Sequence, residues 1–338
     1  MNITYIVGNG LDLQYGLKTK YKDFYDFQHK VYIEKKEKEE YTNLIYESLF
    51  SDKINEYKNW SDFELSIAKL TKKEELAFYR DDIRSKFVND FSDVVDDLRN
   101  YLKQEQDSID YSKYKIDFKS TLNGIKKELP TINQSAIDKK YNVNLHQHDT
   151  VNILTLNYTN VIDKLYELSE TSFYNNLRNN NYYFNIHAPI HAHGTIDICT
   201  VLGVSDETQI ATSFTEEDKE TLIKELTLKS FRENMDVKNS NIIKNSDIII
   251  LYGVSLGKTD QYLWQQIAER SIESSVPVII YHYAENFDAG NPIKVRSLYK
   301  KVEDKFIERI DFDLQLKKKL RENLIIVIGK SIFDLIER

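Results

Sequence analysis

The sequence predicts an α/β fold, in which a mostly parallel β-sheet carries a large helical insertion. Three observations indicate this class. Short runs rich in Ile and Val recur along the chain, segments with helical periodicity lie between them, and a long charged and aromatic interval separates the first run from the second. Apolar runs of this length are typical of strands that helices cover on both faces. Strands that alternate with helices indicate a largely parallel sheet.

The apolar runs are the predicted strands of this sheet. The strong ones span residues 3–10, 151–160, 247–257, 276–283 and 324–329, and two weaker candidates span 182–187 and 198–204. A polar or glycine-containing turn follows the strands that bear candidate site residues. The asparagine-rich stretch at 175–183 is predicted to be a loop.

Helical patterns fill the intervals between the strands. Residues 160–169 and 259–273 follow the second and third strong strands, and Asn160 is a candidate N-cap of the first of these helices. Segments 60–70 and 84–102 show the same periodicity inside the long interval. The sequence therefore predicts helices that cover the sheet and a helical body inserted after its first strand.

The chain divides into a sheet-forming core and two insertions. We expect a core at 1–30 together with 146–338, a large helical insertion at 31–145 and a smaller helical insertion at 215–245. The large insertion is rich in Tyr and Phe, which are enriched in protein interfaces. These rings are expected either to join two copies of the chain as a homo-oligomer or to form the insertion's own core.

Composition argues against several classes of protein. The chain has 46 basic and 54 acidic residues and a net charge of −8, which disfavours nucleic acid as the main partner. Cys199 is the only cysteine, so neither an internal disulfide nor a four-cysteine zinc site can form. No apolar run approaches the roughly 18 residues of a membrane span. We therefore expect a cytoplasmic protein with no membrane partner.

The first motif, Gly8 to Asp12, is expected at a turn from a strand into a helix. It uses two of only 10 glycines in the chain. Backbone N–H groups and a helix N-terminus at such a turn attract phosphate. The dinucleotide fingerprint needs a third glycine where Leu13 stands, so that fingerprint fails. The motif predicts either a phosphate cradle or a tight turn without a ligand.

The second motif, TLNYTN at 155–160, ends the second strong strand. Ligands of open α/β sheets bind beyond the carboxyl ends of the strands, where Asn157 and Tyr158 are expected. The alternative is that Asn157 and Asn160 only cap the following helix.

The third motif is a cluster of three histidines, His187, His191 and His193. Such a cluster can hold a metal ion, although Asp197 is the only acidic residue nearby. Gly194 lets the chain turn beside His193, which favours contact of that ring with a nucleobase or ribose. Buried, hydrogen-bonded histidines without a ligand are the third interpretation.

The fourth motif spans 252–260. Ser255 and Thr259 can donate hydrogen bonds to phosphate or ribose oxygens, and Asp260 near the helix start is favourable with the helix dipole. If the strands before these four motifs are parallel, the motifs meet at one end of the sheet. The sequence therefore predicts a single crevice assembled from distant segments.

Taken in order, these motifs resemble the AbiH-type bacterial abortive-infection family. The resemblance covers the segments 7–24, 59–64, 155–160, 191–196, 201–204 and 252–264. The first block and YGVSLGKTD are its most specific parts. The resemblance implies a role in defence against phage.

The motif set is also similar to the core of the sirtuin superfamily. The matching positions are Gly8, Gly10, Asn157, His193, Gly194, Gly253, Ser255 and Leu256. This resemblance implies a Rossmann-like, sirtuin-like sheet with NAD or a related nucleotide in its crevice. Two departures argue against a deacylase: the four-cysteine zinc module is absent, and Thr159 stands where sirtuins carry an acidic residue. The activities that stay compatible with this resemblance are glycosidic cleavage and nucleotide binding.

We therefore expect an abortive-infection effector that binds NAD as substrate or ligand and hydrolyses its N-glycosidic bond without a metal. Asn157 is expected to position water and the ribose hydroxyls, and His193 is expected to be the base, a task suited to a group that titrates near neutrality. The residues expected to bind the nucleotide are Gly8, Asn9, Gly10, Asp12, Tyr158, Gly194, Gly253 and Ser255.

Two alternatives stay open at the level of sequence. In the first, the crevice is a non-catalytic module that senses a nucleotide and acts through a partner protein. In the second, the chain is a metal-dependent nuclease or RNA-directed toxin that uses His191, His193, Asp197 and Asp206.

Overall fold

A computed structural model shows an α/β fold built on a mostly parallel sheet, as the sequence predicts. It describes residues 1–39, 41–51, 60–143, 148–177, 180–230, 235–285, 287–333 and 335–337. The strands are β1 (Asn2–Val7), β2 (Tyr114–Ile116), β3 (His148–Thr155), β4 (Ser172–Leu177), β5 (Asn180–Ile186), β6 (Ile190–His191), β7 (Ile248–Tyr252), β8 (Val278–His282), β9 (Leu324–Ile328) and β10 (Leu335–Glu337).

The strand order places β1 at the centre of the main sheet. The order is β4, β5, β3, β1, β7, β8, β9, and β6 pairs with the end of β3. Within this sheet only the β4–β5 pair is antiparallel. The chain adds β3 on one side of β1 and β7 on the other side. Such a reversal is a topological switch point, where open α/β sheets bind ligands. Strands β2 and β10 form a separate antiparallel pair.

Helices surround this sheet. They are α1 (Gly10–Gln14), α2 (Tyr21–Glu39), α3 (Leu44–Ser51), α4 (Trp60–Lys73), α5 (Asp81–Asp107), α6 (Phe118–Glu128), α7 (Thr131–Val143), α8 (Val161–Glu167), α9 (Glu216–Leu222), α10 (Lys224–Ser230), α11 (Met235–Lys244), α12 (Gln261–Ser274), α13 (Pro292–Ile307) and α14 (Leu314–Asn323). Among the described residues, no helix is both long and apolar enough to cross a bilayer.

The central strand is buried on both faces because its side chains alternate between two cores. Tyr5 and Val7 pack in one core with Phe118 of α6, whereas Ile6 packs in the other core with Trp264 of α12. All of these side chains are almost fully buried. Continuous Ile and Val runs fit this environment, since each successive residue meets a covered face.

The long interval predicted as one insertion at 31–145 contains two groups of helices, but the first group starts earlier, because α2 begins at Tyr21 and crosses the predicted boundary. Helices α2 to α5 build a third core from aromatic side chains such as Phe24, Phe63 and Phe87, together with Leu202 from a later loop. Helices α6 and α7 pack instead with the sheet. The predicted boundary between 145 and 146 lies outside the described residues. The aromatic rings thus form a core, and the homo-oligomer stays a prediction.

The structure confirms the five strong strands and the weaker strand at 182–187, but two local predictions were wrong. Residues 198–204 do not form a strand, because Cys199 at φ 51° and Gly203 at φ 152° turn the backbone. The described part of 175–183 is not a loop: it belongs to the antiparallel β4–β5 pair.

The predicted helices are all present. Helices α4 and α5 contain the predicted segments 60–70 and 84–102. Helices α8 and α12 correspond to the predicted segments 160–169 and 259–273. The smaller insertion at 215–245 contains α9, α10 and α11. Asn160 precedes α8, but its side chain makes no capping hydrogen bond. It donates instead to Asp197 Oδ2 at 3.0 Å.

Candidate functional site

A cavity of about 290 Å³ lies at the carboxyl ends of β1, β3 and β7. It therefore occupies the switch point of the sheet, and residues of α2, α4 and α5 close it from the helical side. Of the predicted site residues, the wall includes Gly8, Asn9, Gly10, Asp12, Asn157, Tyr158, His193, Gly253 and Ser255. Gly194 is not part of this wall.

The two glycines of the first loop serve loop packing. Gly10 N donates to Gly253 O at 2.9 Å, and Gly8 N donates to Tyr252 O at 2.8 Å. A Cβ atom on Gly10 would lie 2.4 Å from Gly253 Cα. Neither N–H group is free for phosphate, and α1 has only five residues. The structure thus favours the tight turn over the phosphate cradle that the sequence also allowed.

Asn9 locks the same loop from its other side. Its Nδ2 donates to Thr19 O at 2.8 Å, and its Oδ1 accepts from Thr19 Oγ1 at 2.5 Å. The Asn9 side chain is therefore engaged within the protein. Asn9 thus fixes the shape of the loop at the cavity, and its amide group is not free to bind a ligand.

Asp12 is the buried carboxylate of the cavity wall, and it is only 1% exposed. Asn157 Nδ2 donates to its Oδ1 at 2.9 Å, and Thr159 Oγ1 donates to its Oδ2 at 2.6 Å. Burial raises the pKa of Asp12 to about 7, although these two hydrogen bonds oppose the rise. The carboxyl is thus poised between its neutral and ionised forms near neutral pH.

Replacing Asp12 by Asn is expected to stabilise the fold above neutral pH. The pKa of Asp12 is about 7 in the fold against 3.8 ordinarily, so the folded state holds the extra proton in this window. Its contribution to stability therefore falls as pH rises from about 4 to 7. Asp12→Asn removes this loss, so its stability relative to wild type should be about 2–3 kcal/mol greater at pH 8 than at pH 5.

Urea denaturation of wild type and Asp12→Asn at both pH values measures this difference. Asp96→Asn is the matched control, because Asp96 is 62% exposed and pairs with Arg99 on the surface. The control should change stability by less than about 0.5 kcal/mol at either pH. Equal stability differences for Asp12→Asn at pH 5 and pH 8 would contradict the buried, proton-binding carboxyl.

A second buried cluster lies in the same wall. Lys224 Nζ lies 2.8 Å from Glu64 Oε1 and 2.9 Å from Asp260 Oδ1. His193 Nε2 lies 3.0 Å from the same Asp260 oxygen. Lys224 and His193 are each 2% exposed, and Glu64 is 3% exposed. The cluster joins α4, α10, the turn before α12 and the segment after β6.

The electrostatics of this cluster leave His193 neutral. Burial, together with Lys224, lowers the pKa of His193. Burial opposes ionisation of Asp260, but Lys224 holds the pKa of Asp260 below its usual value. No described residue forms a hydrogen bond with the buried His193 Nδ1. A neutral imidazole with an unpartnered nitrogen on a cavity wall can accept a proton.

Each of the three histidines of the sequence cluster lies beside a different polar side chain, and that of His193 is Asp260. His187 Nδ1 contacts Asn152 Oδ1 at 3.1 Å. His191 lies between Asn157 O and Asp163 Oδ2, each at 2.8 Å, and so supports the Asn157 loop.

The residues of the nuclease alternative are also dispersed. Asp197 bonds Asn160, whereas Asp206 caps the short helical turn Glu207–Gln209. Within the described ranges, no group of three or more His, Cys, Asp or Glu side chains is placed to hold a metal ion.

Three further predicted residues have defined places. Tyr158 OH donates to Val201 O at 2.8 Å. The hydroxyl of Tyr158 is therefore engaged within the protein, and the ring is the part of this side chain that lines the cavity. Gly194 has φ +73°, and a Cβ atom there would lie 1.7 Å from Cys199 O. It therefore shapes the turn after His193. Ser255 is exposed at the cavity edge.

The sequence did not identify Glu64 and Lys224 as site residues. Both lie in helical segments, where a charged side chain is most often on the solvent face. Glu64 ends the NWSDFE block of the family resemblance, which was the only signal for it. Lys224 had no signal, because its burial depends on packing of α10 against α4.

Comparison with known proteins gives one match. A family model described as "Bacteriophage abortive infection AbiH" matches residues 4–282, which include β3, β7 and the carboxyl end of β1. No match was found among curated proteins or among solved structures. Because the matched segment is well over half of the 338 residues, the chain belongs to the bacteriophage abortive infection AbiH family.

Proposed function

We propose that the chain is an abortive-infection effector that hydrolyses the N-glycosidic bond of NAD or a related nucleotide. The observation that carries this proposal is the shared wall of Asp12, Asn157 and neutral His193 at the switch point of the sheet. The volume of about 290 Å³ is close to the lower end for ligand pockets. It suits the ribosyl end of a nucleotide, with the remainder at the mouth.

The chemistry needs a carboxylate, a base and a positioned water. In the proposed step the bond from ribose C1′ to the nicotinamide nitrogen breaks, and its electron pair neutralises the cationic ring. Water oxygen bonds to C1′ and gives its proton to His193. Positive charge that develops on the sugar, as in glycoside hydrolysis, is stabilised by ionised Asp12. Asn157 holds Asp12 through Nδ2, and its Oδ1 can accept from water or a ribose hydroxyl.

The proposal includes a Rossmann-like, sirtuin-like relationship for the core. Sirtuins carry an acidic residue two positions after the asparagine, where this chain has Thr159. Thr159 donates to Asp12 Oδ2, while Asn157 donates to Asp12 Oδ1. We infer that Asp12 supplies, from the first loop, the carboxylate that position 159 lacks.

The phosphate part of the nucleotide is assigned to the mouth of the cavity. The Gly8 and Gly10 N–H groups are already paired with backbone oxygens. Lys20 and Ser255 are exposed and line the cavity. A lysine ammonium and a hydroxyl at this edge suit a pyrophosphate that stays partly in water.

Nicotinamide release from NAD by the purified chain tests the proposal. His193→Ala and Asn157→Ala should each lower the rate at least about 100-fold, the usual contribution of a positioned base. His187→Ala is the matched control, because the His187 ring is exposed, bonds Asn152 and does not line this cavity. It should keep wild-type activity. Full activity of both site variants would overturn the assignment of this cavity.

A nucleotide-sensing module is the second candidate, and one observation favours it. The cavity is lined in part by the helical layer, through Tyr21 of α2, Glu64 of α4 and Leu102 of α5. A bound ligand would therefore contact that layer directly. Calorimetry with NAD and ADP-ribose distinguishes the two candidates. Tight binding of NAD without nicotinamide release supports the sensor, whereas turnover supports the hydrolase.

A further inference from the structure

A second cavity, of about 310 Å³, lies at the carboxyl end of α1. Three tyrosines line it, together with two aliphatic side chains and one amide. These are Tyr15, Tyr111, Tyr114, Ile109, Leu165 and Gln14. It shares no lining residue with the first cavity, whose walls include Asp12 and Leu13 of the same short helix.

We propose that this tyrosine-lined cavity binds a small, flat heteroaromatic molecule with the size and chemistry of a nucleoside. Its volume falls within the range of small-molecule sites, and apolar and aromatic side chains with one convergent amide are the usual lining of such sites. Tyrosine rings stack on nucleobases of any sequence, because every base offers a π face.

Hydrogen bonds hold two of the three tyrosines, Tyr15 and Tyr111, in place before any ligand binds. Tyr111 OH donates to Gln106 O at 3.0 Å, and Lys164 Nζ lies 4.7 Å from the centre of the Tyr111 ring. Tyr15 OH donates to Phe333 O at 3.2 Å. Rings that are already ordered lose little conformational entropy when a ligand stacks on them.

Gln14 provides the polar contact that a base edge requires. Its Oε1 accepts a hydrogen bond from Tyr252 OH, which fixes the orientation of the amide. The Nε2 group of the same amide can donate a hydrogen bond, and ring nitrogens and carbonyl oxygens of nucleobases are acceptors. An aliphatic guest of the same volume would gain neither the stacking nor this hydrogen bond.

The second cavity is connected to the first by two routes. Helix α1 carries Asp12 on the wall of one cavity and Gln14 on the wall of the other. Gln106, whose carbonyl accepts from Tyr111, also accepts from Asn160 N through its Oε1 at 2.6 Å. A ligand that shifts Tyr111 therefore acts on the loop that holds Asn157.

Calorimetric titration with adenosine tests this site, with ribose as the probe that lacks a base. Tyr114→Leu removes one ring but keeps apolar bulk, and Ile109→Trp fills the cavity. Tyr283→Leu is the matched control, because Tyr283 is 81% exposed and does not line this cavity. His193→Ala alters the first cavity and lies on neither of these routes, so it shows whether adenosine binds there instead. None of these titrations depends on NAD turnover.

We expect saturable adenosine binding that Tyr114→Leu weakens about 5- to 100-fold, the range for loss of one stacked ring. Ile109→Trp should abolish it, and Tyr283→Leu and His193→Ala should leave it unchanged. Ribose should not bind. The proposal is overturned if wild type shows no saturable binding, or if binding survives Tyr114→Leu unchanged. If thermal unfolding shows that Ile109→Trp is not folded, the Tyr114→Leu titration alone decides whether the proposal holds.

Discussion

A Lys224→Met variant is expected to lose about 3–5 kcal/mol of unfolding free energy, measured by urea denaturation at pH 8. Lys224 is 2% exposed and is the cation between Glu64 and Asp260. Methionine has similar length, so little packing is lost. The loss comes from two buried carboxyls that no longer have a positive partner, and such uncompensated charge is costly in a protein interior.

The pH dependence of the unfolding free energy of Lys224→Met provides a second, independent test of these ion pairs. Burial lowers the pKa of Lys224, but Asp260 and Glu64 raise it well above its ordinary value, so wild type keeps the ion pairs at pH 8. Without the cation, the pKa values of the two carboxyls rise above those of the unfolded chain. The variant should therefore recover stability relative to wild type as pH falls from 8 to 5.

Lys229→Met in the same helix is the matched control. Lys229 pairs with Glu225 at 2.6 Å, but the two side chains are 53% and 44% exposed. Surface pairs of this kind contribute about 0–1 kcal/mol. Adding Glu64→Gln to Lys224→Met should restore part of the lost stability. If Lys224→Met cost no more than Lys229→Met, the buried network would not have the strength that its geometry indicates.

A Gly10→Ala variant is expected to lose at least about 3 kcal/mol, since overpacking against backbone cannot relax by a rotamer change. The new Cβ atom would lie 2.4 Å from Gly253 Cα. Gly253→Ala should be at least as costly, because its Cβ atom would meet Gly10 Cα at 2.7 Å and its φ is +65°. Thermal denaturation with circular dichroism measures both losses.

Gly124→Ala is the control for these glycine variants. Gly124 lies inside α6, and the nearest atom to an added Cβ is Glu128 Oε1 at 4.0 Å. Alanine is favoured over glycine in a helix interior, so this variant should gain about 0.5–1 kcal/mol. Similar small effects for Gly10→Ala and Gly124→Ala would show that the loops after β1 and β7 do not pack as described.

The strands of the sheet could be predicted because short Ile and Val runs that end in polar or glycine-containing turns are typical of buried strands. The meeting of the four motifs followed from the same step, since parallel strands present their carboxyl ends at one edge. Strand β4 and the start of β5 could not be predicted, because an Asn-rich sequence lacks the apolar alternation that indicates a strand.

The chemistry of the site was only partly accessible to sequence. Two glycines indicated a backbone requirement, but only the structure shows that Gly10 and Gly8 direct their N–H groups to the neighbouring loop. Asp12 was expected to contact a ligand, and its contacts with Asn157 and Thr159 depend on tertiary approach. Burial of Lys224 likewise depends on helix packing, which residue type does not encode.

A crystal structure of the chain soaked with NAD tests the central claim most directly. We expect electron density for the nucleotide in the cavity at the carboxyl ends of β1, β3 and β7, with the ribosyl carbon between Asp12 and His193 and the pyrophosphate near Lys20. Nucleotide bound at another surface, with this cavity still empty at a saturating NAD concentration, would contradict the account.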